Sequence, residues 1–203
     1  VTDGKITIDG KDIRNVSQHE LREKLGYVPQ KAVLFSGDIA SNILYGNPDG
    51  SEAEMTEAAT IAQATEFIEQ KKKKYKSTIS QGGSNVSGGQ KQRLSIARAI
   101  AKHPDIYIFD DSFSALDYKT DATLRAKLKE KTSESTVMIV AQRISTILHA
   151  DQIIVLDDGQ IVGKGTHKEL LKNCEAYYQI ASSQLSEKEL EEDLKEVESY
   201  AKR

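Results

Sequence analysis

Residues 85–93 read Asn85-Val86-Ser87-Gly88-Gly89-Gln90-Lys91-Gln92-Arg93, and an apolar run with helical spacing follows them. This pattern predicts a glycine turn that opens a helix, with Ser87 as the N-cap. Two consecutive glycines let the backbone approach a ligand closely, and the first amides of a helix lie at the positive end of its dipole. The stretch therefore suits a phosphate group, although an ordinary loop before an amphipathic helix has the same composition.

The composition is that of an ordinary globular protein with one domain, or one domain with a subdomain. The 203 residues carry a net charge of -3, which gives no electrostatic argument for nucleic acid as a partner. The only cysteine, Cys174, excludes an internal disulfide framework and a cysteine-based zinc site. No apolar stretch approaches the roughly 18 residues of a membrane-spanning helix, and we expect no signal peptide.

Upstream of the glycine turn, the pattern predicts two short strands and two helices. Lys5–Gly10 alternates apolar and polar residues, and a second strand starts at Gly26 and ends at Pro29, because proline cannot donate to a sheet. Helices are predicted over residues 18–24 and residues 51–74. The second strand therefore hands over to a loop that begins at Gln30.

Downstream, apolar runs alternate with helical segments. Ile106–Phe109 and Thr136–Val140 predict two strands buried on both faces of a parallel sheet. A helix is predicted over residues 120–131, a hairpin over residues 152–163, and helical structure from His167 onward. This alternation predicts an α/β domain with a mainly parallel sheet.

Two carboxylates, Asp110 and Asp111, follow the strand at Ile106–Phe109. A magnesium–nucleotide site needs such groups: the first carboxylate can hold the metal through its water shell, and the second can orient or deprotonate an attacking water. Paired aspartates after a strand are common by themselves. Their position behind the glycine motif and ahead of Ser114–Asp117 makes the pattern more specific.

Together these segments resemble the nucleotide-binding domain of ATP-binding-cassette (ABC) transporters of the exporter type, up to about Gln184. The resembling motifs are the signature at Val86–Gln90, the Walker B strand at Ile106–Asp110, the D-loop at Ser114–Asp117, the Q-loop glutamine Gln30 and the H-loop position Gln142. They occur in the order of the family. The segment Phe35–Gly46 is also similar to exporter sequences.

The resemblance implies a P-loop NTPase-like α/β fold with an inserted helical subdomain. Residues 1–184 would be a partial nucleotide-binding domain, with a RecA-like core at 1–30 and about 104–170 and a helical subdomain at about 31–103. A helical tail would cover 185–203. In the family, two such domains enclose two ATP molecules head to tail, each ATP lying between the phosphate loop of one domain and the signature of the other.

The resemblance also assigns roles to single residues. ATP-binding roles fall on Gln30, Ser87, Gly88, Gly89, Gln90 and Asp117, with the signature serving the nucleotide of a partner. Asp110 and Gln30 would hold Mg²⁺. Asp111 and Gln142 would occupy the catalytic positions.

The first departure from the family is the phosphate loop, which should lie before Gly4. No Gly-Lys-Ser/Thr sequence occurs in the chain. We therefore expect an N-terminal truncation that removes the N-terminal strands and the Walker A helix. The isolated fragment is expected to be unstable or molten, and inactive.

The second departure concerns the catalytic positions. Asp111 stands where the family usually has glutamate, and Gln142 stands where it has histidine. A shorter carboxylate lies further from the attacking water, and glutamine cannot carry the charge of histidine. The pattern resembles the degenerate half of a heterodimeric exporter, which hydrolyses ATP slowly at its own site. The alternative is that both residues are tolerated variants with near-normal turnover.

The leading hypothesis is thus the ATPase domain of a membrane exporter, attached at the cytoplasmic face through a transmembrane domain. The loops 27–49 and 77–84 would face that domain. A second hypothesis is a non-catalytic regulatory partner that supplies only its signature. A soluble ABC ATPase of DNA repair or translation is disfavoured by the exporter-like Asp38–Gly46 segment and by the lack of a long coiled-coil insertion.

Overall fold

The computed structural model describes residues 1–190 and 193, and tertiary contacts divide the chain into two compact units. The first unit is 1–140 and the second is 141–203. The strands of the first unit are β1 Thr7–Ile8, β2 Lys11–Asp12, β3 Leu25–Val28, β4 Gly37–Asp38, β5 Thr78–Ile79, β6 Ile106–Asp110 and β7 Thr136–Val140. Its helices are α1 Gln18–Glu23, α2 Ile39–Ile43, α3 Glu52–Ile61, α4 Thr65–Glu69, α5 Gly88–Ala101 and α6 Tyr118–Lys131.

The centre of the first unit is a parallel sheet in the order β3-β6-β7. Val28 pairs in register with Phe109, and Phe109 pairs with Ile139, so these three side chains share one face. Val28 and Phe109 are fully buried on that face. The carboxyl ends of β3 and β6 therefore lie side by side, which is the edge where open α/β sheets bind ligands.

Helix α5 begins as the sequence predicts. Ser87 is its N-cap, with its hydroxyl accepting from the Gln90 amide, and the Gln90 side chain accepts from the Ser87 amide in return. This reciprocal pair is a capping box. The helix buries Leu94, Ile96 and Ile100 in the core of the unit, and truncating such a leucine to alanine typically costs about 2–5 kcal/mol.

The prediction of one continuous helix over residues 51–74 is wrong. The structure divides it into α3 and α4, because Gln63 adopts a left-handed backbone with φ of 57°. The break turns the Gln63 carbonyl toward Arg93, whose Nη1 donates to it at 2.7 Å. The break also places the Phe67 ring beneath the same guanidinium, with 4.9 Å between the ring centroid and Arg93 Cζ. Glutamine at such a turn carries no sequence signal comparable to glycine or proline.

The prediction that β7 is buried on both faces is also wrong. Val137, Met138 and Val140 are all exposed, with 56% of Met138 accessible. Within residues 1–140, the buried core contains Val28 and Phe109 of the sheet together with residues of α2–α6, and β7 lies at the edge of the sheet with β6 as its hydrogen-bonded neighbour. An apolar run alone does not reveal whether a strand is central or at an edge.

The second unit contains, in its described part at 141–190 and 193, an antiparallel hairpin and three named helices, besides the helical residues 187–190. These elements are β8 Ile153–Asp157, β9 Gln160–Gly165, α7 Ile144–Ile147, α8 His167–Asn173 and α9 Glu175–Gln184. The predicted hairpin is confirmed. Its small core contains Val155, Leu170 and Tyr177, and burial raises the pKa of Tyr177 to about 12.

The predicted α/β class with a parallel sheet is confirmed. The predicted divisions near residues 30, 103 and 184 stay predictions. In the predicted tail, residues 187–190 are helical, whereas 191–192 and 194–203 lie outside the described residues. No helix within the described ranges is both long and apolar enough to cross a membrane.

Candidate functional site

The first carboxylate of the candidate site, Asp110, is the last residue of β6. Tyr27 on the neighbouring strand β3 pairs with Ile108, so its side chain shares the face of Asp110. The Tyr27 hydroxyl donates a hydrogen bond to Asp110 Oδ2 at 3.1 Å. Partial desolvation, together with this hydrogen bond, raises the pKa of Tyr27. The aspartate is thereby oriented at the carboxyl edge of the sheet.

The second carboxylate, Asp111, meets the loop that follows β3. Gln30 Nε2 donates to Asp111 Oδ2 at 3.2 Å, although 81 positions separate the two residues. The parallel pairing of β3 with β6 explains this contact, since both residues lie just beyond the carboxyl ends of paired strands. The structure therefore brings Gln30, Asp110 and Asp111 together.

The backbone of Asp111 is unusual. Its φ of 44° lies in the left-handed region, where aspartate is tolerated better than most residues. Its amide donates to the Val140 carbonyl at 2.9 Å, and its carbonyl accepts from the Ser114 hydroxyl at 3.0 Å. Next to it, the buried Ser112 hydroxyl donates to the Val28 carbonyl at 2.8 Å. These bonds hold the turn after β6 in its left-handed conformation.

The residues of the predicted signature occupy the first turn of α5. The capping box engages the side chains of Ser87 and Gln90, which leaves the amides of Gly88 and Gly89 among the first-turn donors that have no carbonyl from a preceding turn. A Cβ added to Gly88 would meet no atom within 4 Å, whereas one added to Gly89 would lie 3.3 Å from the Ala115 carbonyl. Gly88 therefore faces open space, and Gly89 packs against the turn before α6.

Asp117 has a clear structural role as the N-cap of α6. Its carboxylate accepts from the Thr120 amide at 3.0 Å. Hydrogen bonds to Thr120 hold the pKa of Asp117 below its ordinary value. The capping contact fixes the end of the turn that Gly89 approaches, and an ATP contact of Asp117 stays a prediction.

Gln142 belongs to the second unit. Its carbonyl accepts from Gln184 Nε2 at 2.8 Å, and Gln184 Oε1 accepts from the Ile144 amide at 2.8 Å. One side chain at the end of α9 thus fixes the backbone on both sides of Arg143. The role of Gln184 could not be predicted from the sequence, because a glutamine 42 positions away gives no local signal of this contact.

Gln92 is a second residue that sequence reasoning did not identify. It lies on α5 with only 2% of its surface exposed, and its Nε2 donates to the Pro29 carbonyl at 3.2 Å. A buried glutamine on the apolar side of a helix was the available signal, since buried polar side chains need partners. The contact ties the signature helix to the residue that precedes Gln30.

The oxygen atoms at the sheet edge fit a magnesium ion. Mg²⁺ is bound through one or two carboxylates together with water and substrate phosphates, and not by a full protein cage. Asp110 and the side-chain oxygen of Gln30 supply this type of donor, and their role as Mg²⁺ ligands stays a prediction. The described residues contain no group of three or more His, Cys, Asp or Glu side chains that could hold a metal ion.

Comparison with known proteins is consistent with this geometry. The family model described as ABC transporter matches residues 1–114. A Mycobacterium tuberculosis protein named as an ABC transporter ATP-binding protein is 46% identical over 187 residues, which is 91% of this chain and 32% of the relative. A Staphylococcus aureus protein named as a multidrug export ATP-binding/permease protein is 42% identical over 184 residues, with 91% and 32% covered.

Among solved structures, a bacterial Atm1-family ABC exporter with ATP bound matches with a TM-score of 0.88 and 39% identity. The match covers 91% of this chain and 33% of the exporter chain. The present chain thus spans about a third of the length of these relatives, at 32% of the M. tuberculosis protein.

Proposed function

This chain belongs to the ABC transporter family, and on that premise we propose that it is the ATP-binding and ATP-hydrolysing domain of a membrane exporter. The hydrogen bond from Gln30 to Asp111 carries the proposal, because it joins the Q-loop position to the catalytic position at the ligand-binding edge of the sheet. The two relatives named above as ATP-binding and ATP-binding/permease proteins support it.

Two ends of the unit would take part in two different ATP sites. The first turn of α5 presents Gly88 to open space, which suits the phosphates of a nucleotide held by a second nucleotide-binding domain. At the other site, Asp110 and Gln30 would hold Mg²⁺, and Asp111 would orient the attacking water. A bound Mg²⁺ neutralises charge on the transferred phosphate.

We propose further that the partner domain is a different chain, so that the assembly is a heterodimer. Asp111 and Gln142 support this, because each differs from the residue that the resemblance implies at its catalytic position, and a shorter carboxylate and a neutral amide are each expected to slow hydrolysis. The competent site would combine the phosphate loop of the partner with the capping-box signature of this chain. Closure of the two domains on ATP would drive a conformational change in a transmembrane domain, and this chain would lie at the cytoplasmic face of the membrane.

The test is ATP hydrolysis by the purified assembly that contains this chain and its partner domain. Ser87→Arg would fill the space before α5 and is expected to abolish most turnover at the shared site, while Ser84→Ala, an exposed serine three residues earlier, leaves it unchanged. Equal turnover in S87R and S84A would reject the shared site. Failure of millimolar ATP to bind this chain alone, with binding once a complete partner is added, would instead support the regulatory partner.

A further inference from the structure

Arg98 lies on α5, about two turns after the signature, and its guanidinium donates hydrogen bonds to residues 33–42, which run from the loop after β3 into α2. Its Nε donates to the Asn42 carbonyl at 2.9 Å, its Nη1 to the Val33 carbonyl at 3.0 Å and its Nη2 to Asn42 Oδ1 at 2.9 Å. All three acceptors are neutral oxygens. The side chain therefore acts as a fixed fork that grips two points of one segment.

Asn42 links Arg98 to the backbone of the same segment. It is 1% exposed, and its amide fills its hydrogen-bonding capacity. Its oxygen accepts from the Phe35 amide at 2.9 Å as well as from Arg98, and its nitrogen donates to the carbonyls of Phe35 and Asp38 at 2.9 Å each. Such a fully satisfied buried network specifies one conformation of the backbone around it.

The gripped segment displays an aromatic pair. Phe35 and Tyr45 stack with ring centroids 4.4 Å apart, and 41% and 60% of their surfaces are exposed. The Arg98 guanidinium lies 4.9 Å from the Phe35 centroid and 5.7 Å from the Tyr45 centroid. One residue of the signature helix thus supports both the backbone and the rings of this exposed pair.

The other end of the same segment is also held by α5. Gln92 bonds the Pro29 carbonyl, and the next residue, Gln30, bonds Asp111. Residues 29–42 are therefore attached to one helix at both ends, with the aromatic pair near one attachment and the catalytic carboxylate near the other. A segment held at two points on a rigid helix moves with that helix rather than as a loose loop.

We propose that Arg98 is a positioning residue that, through Asn42, fixes residues 33–42 to the signature helix, so that the aromatic pair, the first turn of α5 and Gln30 move as one body. The inference rests on the proposed function, because the movement matters only if Gln30 serves an ATP site.

The experiment uses Arg98→Lys, which keeps the charge but removes the fork. Hydrogen–deuterium exchange in the full chain is expected to accelerate by about tenfold at the amides of residues 33–42, because Asn42, whose Oδ1 accepts from the Phe35 amide, loses the guanidinium that holds it. In the assembly with the partner domain, kcat for ATP at the site of this chain, measured by single-turnover hydrolysis, is expected to fall about fivefold while KM stays within about twofold, as for a group that positions a catalytic residue. Asn42→Asp, which removes the amide donors, tests the same network if R98K does not fold.

Arg93→Lys is the matched control. Arg93 lies on the same helix, stacks on Phe67 and donates to the Gln63 carbonyl, outside residues 33–42. Its replacement removes a comparable arginine and is expected to leave exchange at 33–42 unchanged.

Two results would overturn the inference. One is equal acceleration at residues 33–42 in R98K and R93K. The other is faster exchange in R98K with no change in kcat. A failure of the proposed function gives a different result, because the unaltered assembly would then not hydrolyse ATP at all. In that case, hydrogen–deuterium exchange alone would test whether Arg98 fixes residues 33–42.

Discussion

Gln30 and Asp111 lie 81 positions apart, and the Gln30 amide donates to the Asp111 carboxylate at 3.2 Å. The contact exists because β3 and β6 are parallel neighbours whose carboxyl ends coincide. It joins the loop after β3 to the residue that follows β6, and it helps to orient both side chains.

Gln30→Ala is expected to lower turnover of Mg²⁺-ATP at the site of this chain by about tenfold, because the Asp111 carboxylate loses the hydrogen bond from Gln30 that helps to orient it. Single-turnover hydrolysis at that site in the assembly measures this. Lys31→Ala, the exposed neighbour, is the control and should retain the original rate. Equal rates in Q30A and the unaltered protein would show that the hydrogen bond has no catalytic role.

Ser87→Ala is expected to reduce the free energy of unfolding by about 1 kcal/mol, because the Gln90 amide loses its cap. Urea denaturation of the full chain measures the loss, with Ser84→Ala as the control. If the two variants unfold at the same urea concentration, the capping box does not contribute to the stability of α5.

Gly88→Ala and Gly89→Ala should separate folding from ligand access. A Cβ at Gly88 meets open space and should leave the unfolding free energy unchanged or raised, since alanine favours helix over glycine. A Cβ at Gly89 lies 3.3 Å from the Ala115 carbonyl and should cost about 1 kcal/mol more than that at Gly88. The same pair assayed for ATP turnover should show loss in G88A despite its intact fold. A less stable G88A than G89A would contradict this packing.

The double change Asp111→Glu and Gln142→His is expected to raise turnover at the site of this chain by about tenfold or more, because it restores a longer base and a chargeable ring. Single-turnover hydrolysis in the heterodimer measures that site. The control is Asp158→Glu, in a hairpin turn with a similar φ of 46°. An unchanged rate in the double variant would favour the alternative that Asp111 and Gln142 are tolerated variants.

Acid should weaken the start of α3. Glu54 accepts from the Ser51 amide and hydroxyl at 2.7 Å each, and these bonds hold the pKa of Glu54 below its ordinary value of 4.5. Because the folded-state pKa is the lower one, this stabilisation is complete above the unfolded value and is lost as pH falls through the folded value. Urea unfolding at several pH values should show the difference between the unaltered chain and Glu54→Gln shrinking below about pH 4.5.

Glu52→Gln removes a carboxylate from the same turn and controls for the change in net charge. Its stability difference from the unaltered chain should vary less with pH than that of E54Q. Parallel curves for the two variants would show that the capping contact of Glu54 does not titrate with folding.

Local chemistry made part of the fold predictable. Ser87 before two glycines specifies a cap, and the run ending at Asp110 specifies a strand, because both signals lie within a few residues. The hydrogen bond between Gln30 and Asp111 needs the strand order as well, which no local pattern contains. The break between α3 and α4 at Gln63 could not be predicted, because it is stabilised by a tertiary contact in which Arg93 donates to the Gln63 carbonyl.

The same distinction applies to the site. The spacing of its motifs identified Asp110, Asp111 and the first turn of α5 as candidates. The supporting contacts of Gln92, Arg98 and Gln184 were not foreseen, since each involves a polar side chain that bonds a distant backbone carbonyl. Helical periodicity describes which face is apolar, and it does not indicate where a buried polar group finds its partner.

Because the backbone of Asp111 is left-handed, the choice of acid at this position affects both folding stability and the rate of hydrolysis. Aspartate enters that conformation more readily than glutamate does, so a longer acid would work faster from a folded state that is harder to maintain. If the partner domain does most of the hydrolysis, this domain can retain the shorter acid and with it the more stable fold.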